Sequence, residues 1–274
     1  MINRSMIQSA VTMGQLQSKL DLIGNNLSNS ETTGYKSRSA DFSSLLFQQI
    51  DNQSHEHAQV GRTTPEGVRI GAGARLGHTN LDYRQGSLQN TGRDLDVALL
   101  GDNHLFQLRV ETETGPETQF TRAGNFYLNP IDNGQVLLTN SNGHPVIGED
   151  GENIVLEEGF QGISIDQDGS ILVKRGDGQA VEGELSVTEA VRPRMLEAIG
   201  DNRFRIPDGI NPDGIMEDLP RGDIEMKNKT LEASNVDVSK QMTDMLMAQR
   251  AYQFNAKSIS TGDQMMGLVN QLRS

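Results

Sequence analysis

Residues 163–173 read Ile-Ser-Ile-Asp-Gln-Asp-Gly-Ser-Ile-Leu-Val, and this pattern sets the fold expected for the middle of the chain. Apolar residues alternate with polar ones before Asp168-Gly169, and an apolar run follows it, which is typical of two half-buried strands. An Asp-Gly pair supplies the positive φ angle that a tight turn between strands needs. The stretch therefore predicts a β-hairpin.

The same signals recur on both sides of this hairpin. Short apolar runs are separated by Asx-Gly pairs such as Asn142-Gly143 and Asp213-Gly214. No strand–helix–strand alternation is visible, which argues against a doubly wound parallel sheet. We therefore predict a central all-β domain over residues 68–230.

Both ends of the chain carry a helical pattern instead, because apolar residues recur there mostly at spacings of three and four. Asn235 or Asp237 is expected to cap the start of the C-terminal helix. That helix would be about 50 Å long at 1.5 Å per residue. The stripe positions are Met13, Leu16, Leu20, Ile23 and Leu27 at one end and Val238, Met242, Met245, Tyr252, Ile259 and Met266 at the other.

The expected fold class is α+β, with discontinuous terminal helices that form a coiled-coil-like hairpin and a central all-β domain. We place the N-terminal helix at residues 1–30, a partly extended linker at 31–67, the β domain at 68–230 and the C-terminal helix at 231–274. The stripes can pair with each other, with copies in other subunits, or both. Left uncovered, they would expose a large apolar surface, which marks an interaction site.

Composition excludes several functions. The net charge of −13 argues against nucleic-acid binding, which needs a basic surface, and against simple docking on anionic lipid. The absence of cysteine excludes disulfides and thiolate metal sites. No apolar run is long enough for a membrane span, and polar residues interrupt 1–26, so no cleaved signal peptide is expected.

Motifs for enzymatic chemistry are incomplete. A glycine-rich stretch from Gly71 lacks the third glycine of a dinucleotide loop, because Leu76 stands there. A calcium loop at Asp168 lacks its final glutamate, because Arg175 takes that position. No catalytic residue, cofactor, metal or small-molecule substrate is therefore predicted.

Two alternatives stay open at this point. The many carboxylates leave room for the paired acids of a cell-wall glycosidase. The two Arg-Gly-Asp triplets, at residues 175–177 and 221–223, leave room for an adhesin.

Several blocks along the chain are more specific. Residues 25–36, Asn-Asn-Leu-Ser-Asn-Ser-Glu-Thr-Thr-Gly-Tyr-Lys, closely resemble the N-terminal signature of flagellar rod and hook proteins. Residues 120–126, Phe-Thr-Arg-Ala-Gly-Asn-Phe, and 231–238, Leu-Glu-Ala-Ser-Asn-Val-Asp-Val, resemble later blocks of that family in the same order. The motif positions are Asn25, Asn26, Asn29, Thr33, Gly34, Tyr35, Ser234, Asn235, Val236, Gln249, Arg250 and Ala251.

The resemblance implies a structural subunit of the flagellar basal-body rod, most similar to the distal rod proteins, with a proximal-rod or hook-like subunit as the alternative. It implies terminal helices in an inner tubular layer and a β domain outside it. The implied partners are copies of the chain, other axial rod and hook proteins and the flagellar type III export apparatus, without direct membrane insertion. The implied location is the extracytoplasmic basal body, in the periplasm or cell wall.

Overall fold

The computed structural model describes residues 2–44, 48–50, 68–70, 74–113, 115–132, 134–176 and 178–273. Within these ranges a long helix lies near each end of the chain, and strands and short turns lie between the helices. This arrangement confirms the α+β class. The chain divides into two compact units, the first made of Met1–Leu27, Arg38–Asn80 and Val238–Ser274, the second of Ser28–Ser37 and Leu81–Asp237.

The first unit holds both helices, and their positions confirm the two helical predictions. Among the described residues, neither helix has a stretch both long and apolar enough to cross a membrane. The elements are α1 (Ile2–Ser28), β1 (Arg38–Ser44), β2 (Gln48–Ile50), β3 (Val68–Ile70), β4 (Ala74–Leu81) and α2 (Val238–Arg273). Strand β1 pairs with β4 and β2 with β3.

The end of α1 is fastened to the start of β1 by the side chain of Asn26, which is buried. Its Nδ2 donates to the Arg38 carbonyl at 2.7 Å, and its Oδ1 accepts the Arg38 N–H at 2.9 Å. One amide therefore satisfies both backbone groups of a strand residue. The expected linker, residues 31–67, begins between Asn26 and Arg38. Its stretch 51–67 lies outside the described residues.

The second unit is built from antiparallel strands. The strands are β5 (Leu88–Asn90), β6 (Val97–Leu99), β7 (His104–Thr112), β8 (Gly115–Thr121), β9 (Tyr127–Ile131), β10 (Gln135–Thr139), β11 (Val155–Glu157), β12 (Gly162–Ile165), β13 (Ser170–Arg175), β14 (Gly178–Glu184), β15 (Val187–Ala190), β16 (Glu197–Gly200), β17 (Arg203–Arg205), β18 (Met216–Asp218), β19 (Met226–Asn228) and β20 (Thr230–Glu232). The largest sheet has the order β16-β17-β8-β7-β15-β18, and two three-stranded sheets have the orders β11-β10-β9 and β12-β13-β14. Strand β19 pairs with β6 and β20 with β5.

The predicted hairpin is confirmed as β12–β13. Ile163 lies opposite Val173, and Ile165 lies opposite Ile171. The turn between them contains Gly169 with φ +87°, the left-handed conformation that its Asp-Gly pair predicted. Local turn chemistry therefore sets the register, and with it the face of each strand that is buried.

Strands from all three larger sheets contribute to one apolar core. Phe106 on β7 meets Phe126 edge-to-face, with ring centroids 5.1 Å apart. Full burial of such side chains stabilises the fold by roughly 1.5–3 kcal/mol each. Further members are Val97, Leu108, Leu138, Val146, Leu156, Ile165, Ile171, Val173 and Val187.

Candidate functional site

Three charged side chains from distant parts of the sequence meet in the interior of the second unit. Glu232 on β20 accepts a hydrogen bond from Lys36 Nζ at 2.8 Å on Oε1, and one from Arg122 Nε at 2.6 Å on Oε2. All three side chains are at most 2% exposed. We call Lys36, Arg122 and Glu232 the ion cluster.

Backbone groups satisfy the rest of the ion cluster. Lys36 also donates to the carbonyls of Tyr83 and Arg84. Glu232 Oε1 also accepts the Gly86 N–H at 2.9 Å. Arg122 donates to three further carbonyls, those of Leu99, Gly101 and His104. Because buried ions are tolerated only when paired and hydrogen-bonded, these carbonyls stabilise the one positive charge in excess.

The electrostatic environment of the ion cluster shifts the pKa values of Lys36 and Glu232. Burial lowers the pKa of Lys36 below its usual value, and the attraction of Glu232 opposes that fall. Burial alone would raise the pKa of Glu232, but the positive charges of Arg122 and Lys36 outweigh it, so this pKa lies below its usual value. Glu232 is therefore a carboxylate at neutral pH.

This shift predicts a loss of stability in acid. The contribution of the Glu232 charge is fully present above the pKa of an unfolded glutamate, about 4.3, and is lost as pH falls through the lower folded pKa. The difference in unfolding free energy between wild type and Glu232→Gln should shrink as pH falls from 7 to 2. Urea unfolding followed by circular dichroism at each pH measures it. A difference that stays constant over this range would contradict the assignment.

Several motif residues surround the cluster. The Gly34 N–H donates to the Glu232 backbone carbonyl at 2.8 Å, and the Tyr35 side chain is buried. Asn235 Oδ1 accepts the Ser37 N–H at 2.7 Å, while its Nδ2 donates to two carbonyls, one of them that of Asp82 at 2.7 Å. Of the two expected caps of α2, Asn235 is therefore excluded, because its amide joins other backbone segments instead. The other, Asp237, directly precedes the helix, which begins at Val238.

Gly34 is required by its position. Its φ is +66°, and a Cβ atom there would lie 2.8 Å from the backbone carbon of Arg122. A side chain would therefore be both strained and in contact with a neighbouring backbone. The segment that carries Lys36 can approach Arg122 only with glycine at this point.

Other motif residues take backbone-linking or surface roles. The carbonyl of Thr33 accepts a hydrogen bond from Asn202 Nδ2 at 2.9 Å. Asn29 accepts a hydrogen bond from the Thr32 hydroxyl, and Ser234 Oγ accepts the Val236 N–H. Four further motif residues lie on the helices: Asn25 on α1, and Gln249, Arg250 and Ala251 on α2.

The predicted assembly residues on the helices differ in exposure. On α1, Ile23 is buried, and Met13, Leu16, Leu20 and Leu27 are half-buried. On α2, Met245, Tyr252 and Ile259 are half-buried, whereas Val238, Met242 and Met266 are exposed. The half-buried residues of α2 lie on the same side as Ala248, which is 4% exposed. We call this side the covered face of α2.

Sequence reasoning missed the ion cluster, although each member lies in one of the blocks that carry the resemblance. The signal was present: Lys36 and Arg122 are the only basic residues of residues 25–36 and 120–126, and Glu232 is the second residue of the block 231–238. Isolated charges of opposite sign in blocks that are otherwise largely uncharged can indicate a buried ion pair.

Comparison with known families matches the same three regions. The model "Flagella basal body rod protein" matches residues 9–36, "Flagellar hook protein FlgE/F/G D1 domain" matches 103–173, and "Flagellar basal body rod FlgEFG protein C-terminal" matches 227–272. Each matched region contributes one member of the ion cluster. Residues of all three matched regions therefore meet in the ion cluster.

Relatives match nearly the whole chain. The flagellar hook-basal body complex protein FlhP of Bacillus subtilis is 38% identical over 98% of this chain and 99% of its own. The flagellar basal-body rod protein FlgG of the same bacterium is 33% identical over the same shares. FlgG of Agrobacterium fabrum is 33% identical over 98% of both chains. The chain therefore belongs to the family of flagellar basal-body rod and hook proteins.

Proposed function

We propose that this chain is a structural, non-enzymatic subunit of the flagellar basal-body rod, of the distal-rod type, which polymerises helically and transmits torque from the motor to the hook. The observation that carries the proposal is a pair of long terminal helices bearing exposed apolar side chains, in a chain similar over its whole length to proteins named rod proteins.

Polymerisation requires surfaces that bind other copies without closing into a ring. We propose that α1 and α2 form a coiled-coil-like hairpin in the inner layer, within residues 1–30 and 231–274. Residues 31–67 form the linker and 68–230 the β domain. Burial of each apolar stripe residue between copies contributes roughly 1.5–3 kcal/mol, so a few residues in each interface are sufficient.

The proposed partners follow from this role. They are further copies of the chain, the other axial rod and hook proteins, and the flagellar type III export apparatus that delivers the subunit. The proposed place is the extracytoplasmic part of the basal body. Nucleic acid, small-molecule substrates, cofactors and metal ions have no part in the proposed function.

Leu20→Asp tests the role of the helices. Leu20 is half-buried on the α1 stripe, so a carboxylate there places a charge within an apolar contact. We expect the variant to be absent from purified basal bodies, while the second unit keeps its wild-type β-sheet spectrum. Quantitative mass spectrometry of basal bodies from cells that express only the variant measures incorporation.

Gln8→Asp is the matched control, since it adds the same charge at an exposed position of the same helix. It should be incorporated at the wild-type level. Normal incorporation of Leu20→Asp would refute the proposed role of the stripe.

A second candidate within the family is a proximal-rod or hook-like subunit. The similarity to a hook-basal body complex protein favours it. The ratio of this chain to the other rod subunits in the same mass-spectrometric measurement separates the two, because each rod segment has its own copy number.

A further inference from the structure

A groove in the second unit lies between the last strands of two sheets. Among the residues that the structure describes, strand β11 pairs with β10 alone and strand β14 pairs with β13 alone. Each of these strands therefore has one edge without a neighbouring strand. The groove between them has a volume of about 360 Å³, and we call it the edge groove. Its lining includes Glu149, Asp150, Val155, Val181, Glu182 and Glu184.

One end of the edge groove is closed, and its floor is apolar. The Glu149 N–H donates to the Glu184 carbonyl at 3.2 Å, so the two walls meet there. The floor is formed by the buried side chain of Ile154. A Cβ atom added to Gly183 would lie 3.0 Å from this side chain, and one added to Gly148 would lie 3.3 Å from it. Glycine at both positions therefore lets the two walls approach Ile154 closely.

The open part of the edge groove exposes backbone and apolar surface. Residues 178–181 of β14 are exposed, and Val181 is 52% exposed. Val155, on the other wall, is 37% exposed. The free edge of a strand presents N–H and C=O groups with which an extended peptide can pair as an added strand. The edge groove therefore suits an extended peptide better than a small molecule, because small-molecule pockets are lined mostly by apolar side chains.

The charge of the edge groove is negative. Arg221 pairs with two of its four carboxylates, those of Glu149 and Glu184. Arg175 pairs with a third, that of Glu182. No cation among the described residues pairs with the fourth carboxylate. Two guanidinium groups beside four carboxylates leave two negative charges in excess.

This charge determines which occupant is favoured. A second copy of the chain would bring its own acidic edge to the contact, and the whole chain has a net charge of −13. Pairing of two copies through this edge is therefore disfavoured, because like charges repel. A segment that carries lysine or arginine would neutralise the excess charge. Since side chains of a strand alternate between its two faces, alternating basic and apolar residues let one segment meet both the carboxylates and the valines.

We propose that the edge groove binds an extended, basic segment of a different protein, which adds as a strand along the free edge of β14. Basic side chains of this segment pair with the groove carboxylates, and its apolar side chains cover Val155 and Val181. The inference goes beyond the proposed function, because it gives the second unit a partner that is not another copy of the chain. It does not depend on polymerisation.

A synthetic peptide tests the proposal with the full chain. The probe is a short peptide of alternating lysine and valine residues with blocked ends, and calorimetry measures its binding at low salt. We expect saturable binding at a single site, and slower amide hydrogen exchange of residues 179–183 when the peptide is bound. A peptide of alternating glutamate and valine residues should not bind.

Val181→Lys places a cation on the wall of the edge groove. We expect this variant to bind the lysine–valine peptide about tenfold more weakly than wild type, because like charges then meet in the site. Its thermal midpoint should be unchanged, since the Val181 side chain is exposed. Val191→Lys is the matched control, because Val191 is 45% exposed in the same unit and does not line the groove. It should bind the peptide as wild type does.

Three results would contradict the inference. If wild type does not bind the lysine–valine peptide, the edge groove is not a site for a basic segment. If Val181→Lys binds it as tightly as wild type, the peptide binds elsewhere on the acidic surface. If the peptide binds without slowing amide exchange of residues 179–183, it does not add as a strand to β14. None of these results affects the proposed function, which the measurement of incorporation into basal bodies tests separately.

Discussion

Replacing Glu232 with glutamine is expected to lower the free energy of unfolding of the second unit by about 3–5 kcal/mol, because it leaves two buried cations without their shared counterion. Lys36 and Arg122 would keep their backbone carbonyl partners and lose the only carboxylate that contacts them in the ion cluster. Removal of one partner from a buried ion group costs more than the group contributes as a whole. The effect should therefore exceed that of most single substitutions.

Chemical denaturation at pH 7 measures this difference. Glu197→Gln is the matched control, because Glu197 pairs with Arg205 and both side chains remain substantially exposed to water. An exposed pair contributes about 0.2–1 kcal/mol, so this control should unfold close to wild type. Equal stability of Glu232→Gln and Glu197→Gln would show that the ion cluster does not stabilise the unit.

The second large effect is expected at Gly124. A Cβ atom there would lie 1.8 Å from the Val97 carbonyl oxygen and 3.2 Å from the Phe106 ring. The Val97 N–H donates to the Gly124 carbonyl at 3.0 Å, so the two backbones are held together. Because neither backbone can move without loss of a hydrogen bond, we expect Gly124→Ala to destabilise the second unit by about 3 kcal/mol or more.

Gly222→Ala is the control for Gly124→Ala within the same unit. Gly222 has no atom within 4 Å of an added Cβ, and its φ lies outside the left-handed region. The free energy of unfolding of this variant should stay within about 0.5 kcal/mol of wild type, as for ordinary surface substitutions. Its thermal midpoint should therefore lie close to that of wild type. A Gly124→Ala variant with the thermal midpoint of wild type would mean that the close approach of the Val97 and Gly124 backbones can relax without cost.

The features that could be predicted from the sequence are local. The β12–β13 hairpin follows from an Asp-Gly turn and the apolar pattern beside it, both contained within eleven residues. Helix α2 follows from a long repeat of apolar residues and an absence of proline. In each case the signal and the structure occupy the same short stretch, so no distant partner has to be chosen.

The ion cluster could not be predicted in this way. Arg122 is 110 residues from Glu232, and the chain has 24 basic residues among which a partner of Glu232 would have to be chosen. The faces of α2 present the same difficulty, because apolar residues lie on more than one side of this helix. The stripe that we predicted contains Met245 on the covered face but not Phe254, which is exposed. Which side is covered depends on tertiary packing, not on spacing alone.

The distance along the chain between members of the ion cluster has a consequence for the time course of folding. Lys36 and Glu232 are separated by 196 residues, so their contact closes a loop that includes most of the molecule. Closure of long loops carries an entropic cost and slows folding. A chain made from its N-terminus holds Lys36 and Arg122 long before Glu232 exists. The second unit therefore reaches its full stability only once synthesis is nearly finished, and a prematurely ended chain retains two cations that favour its unfolded form.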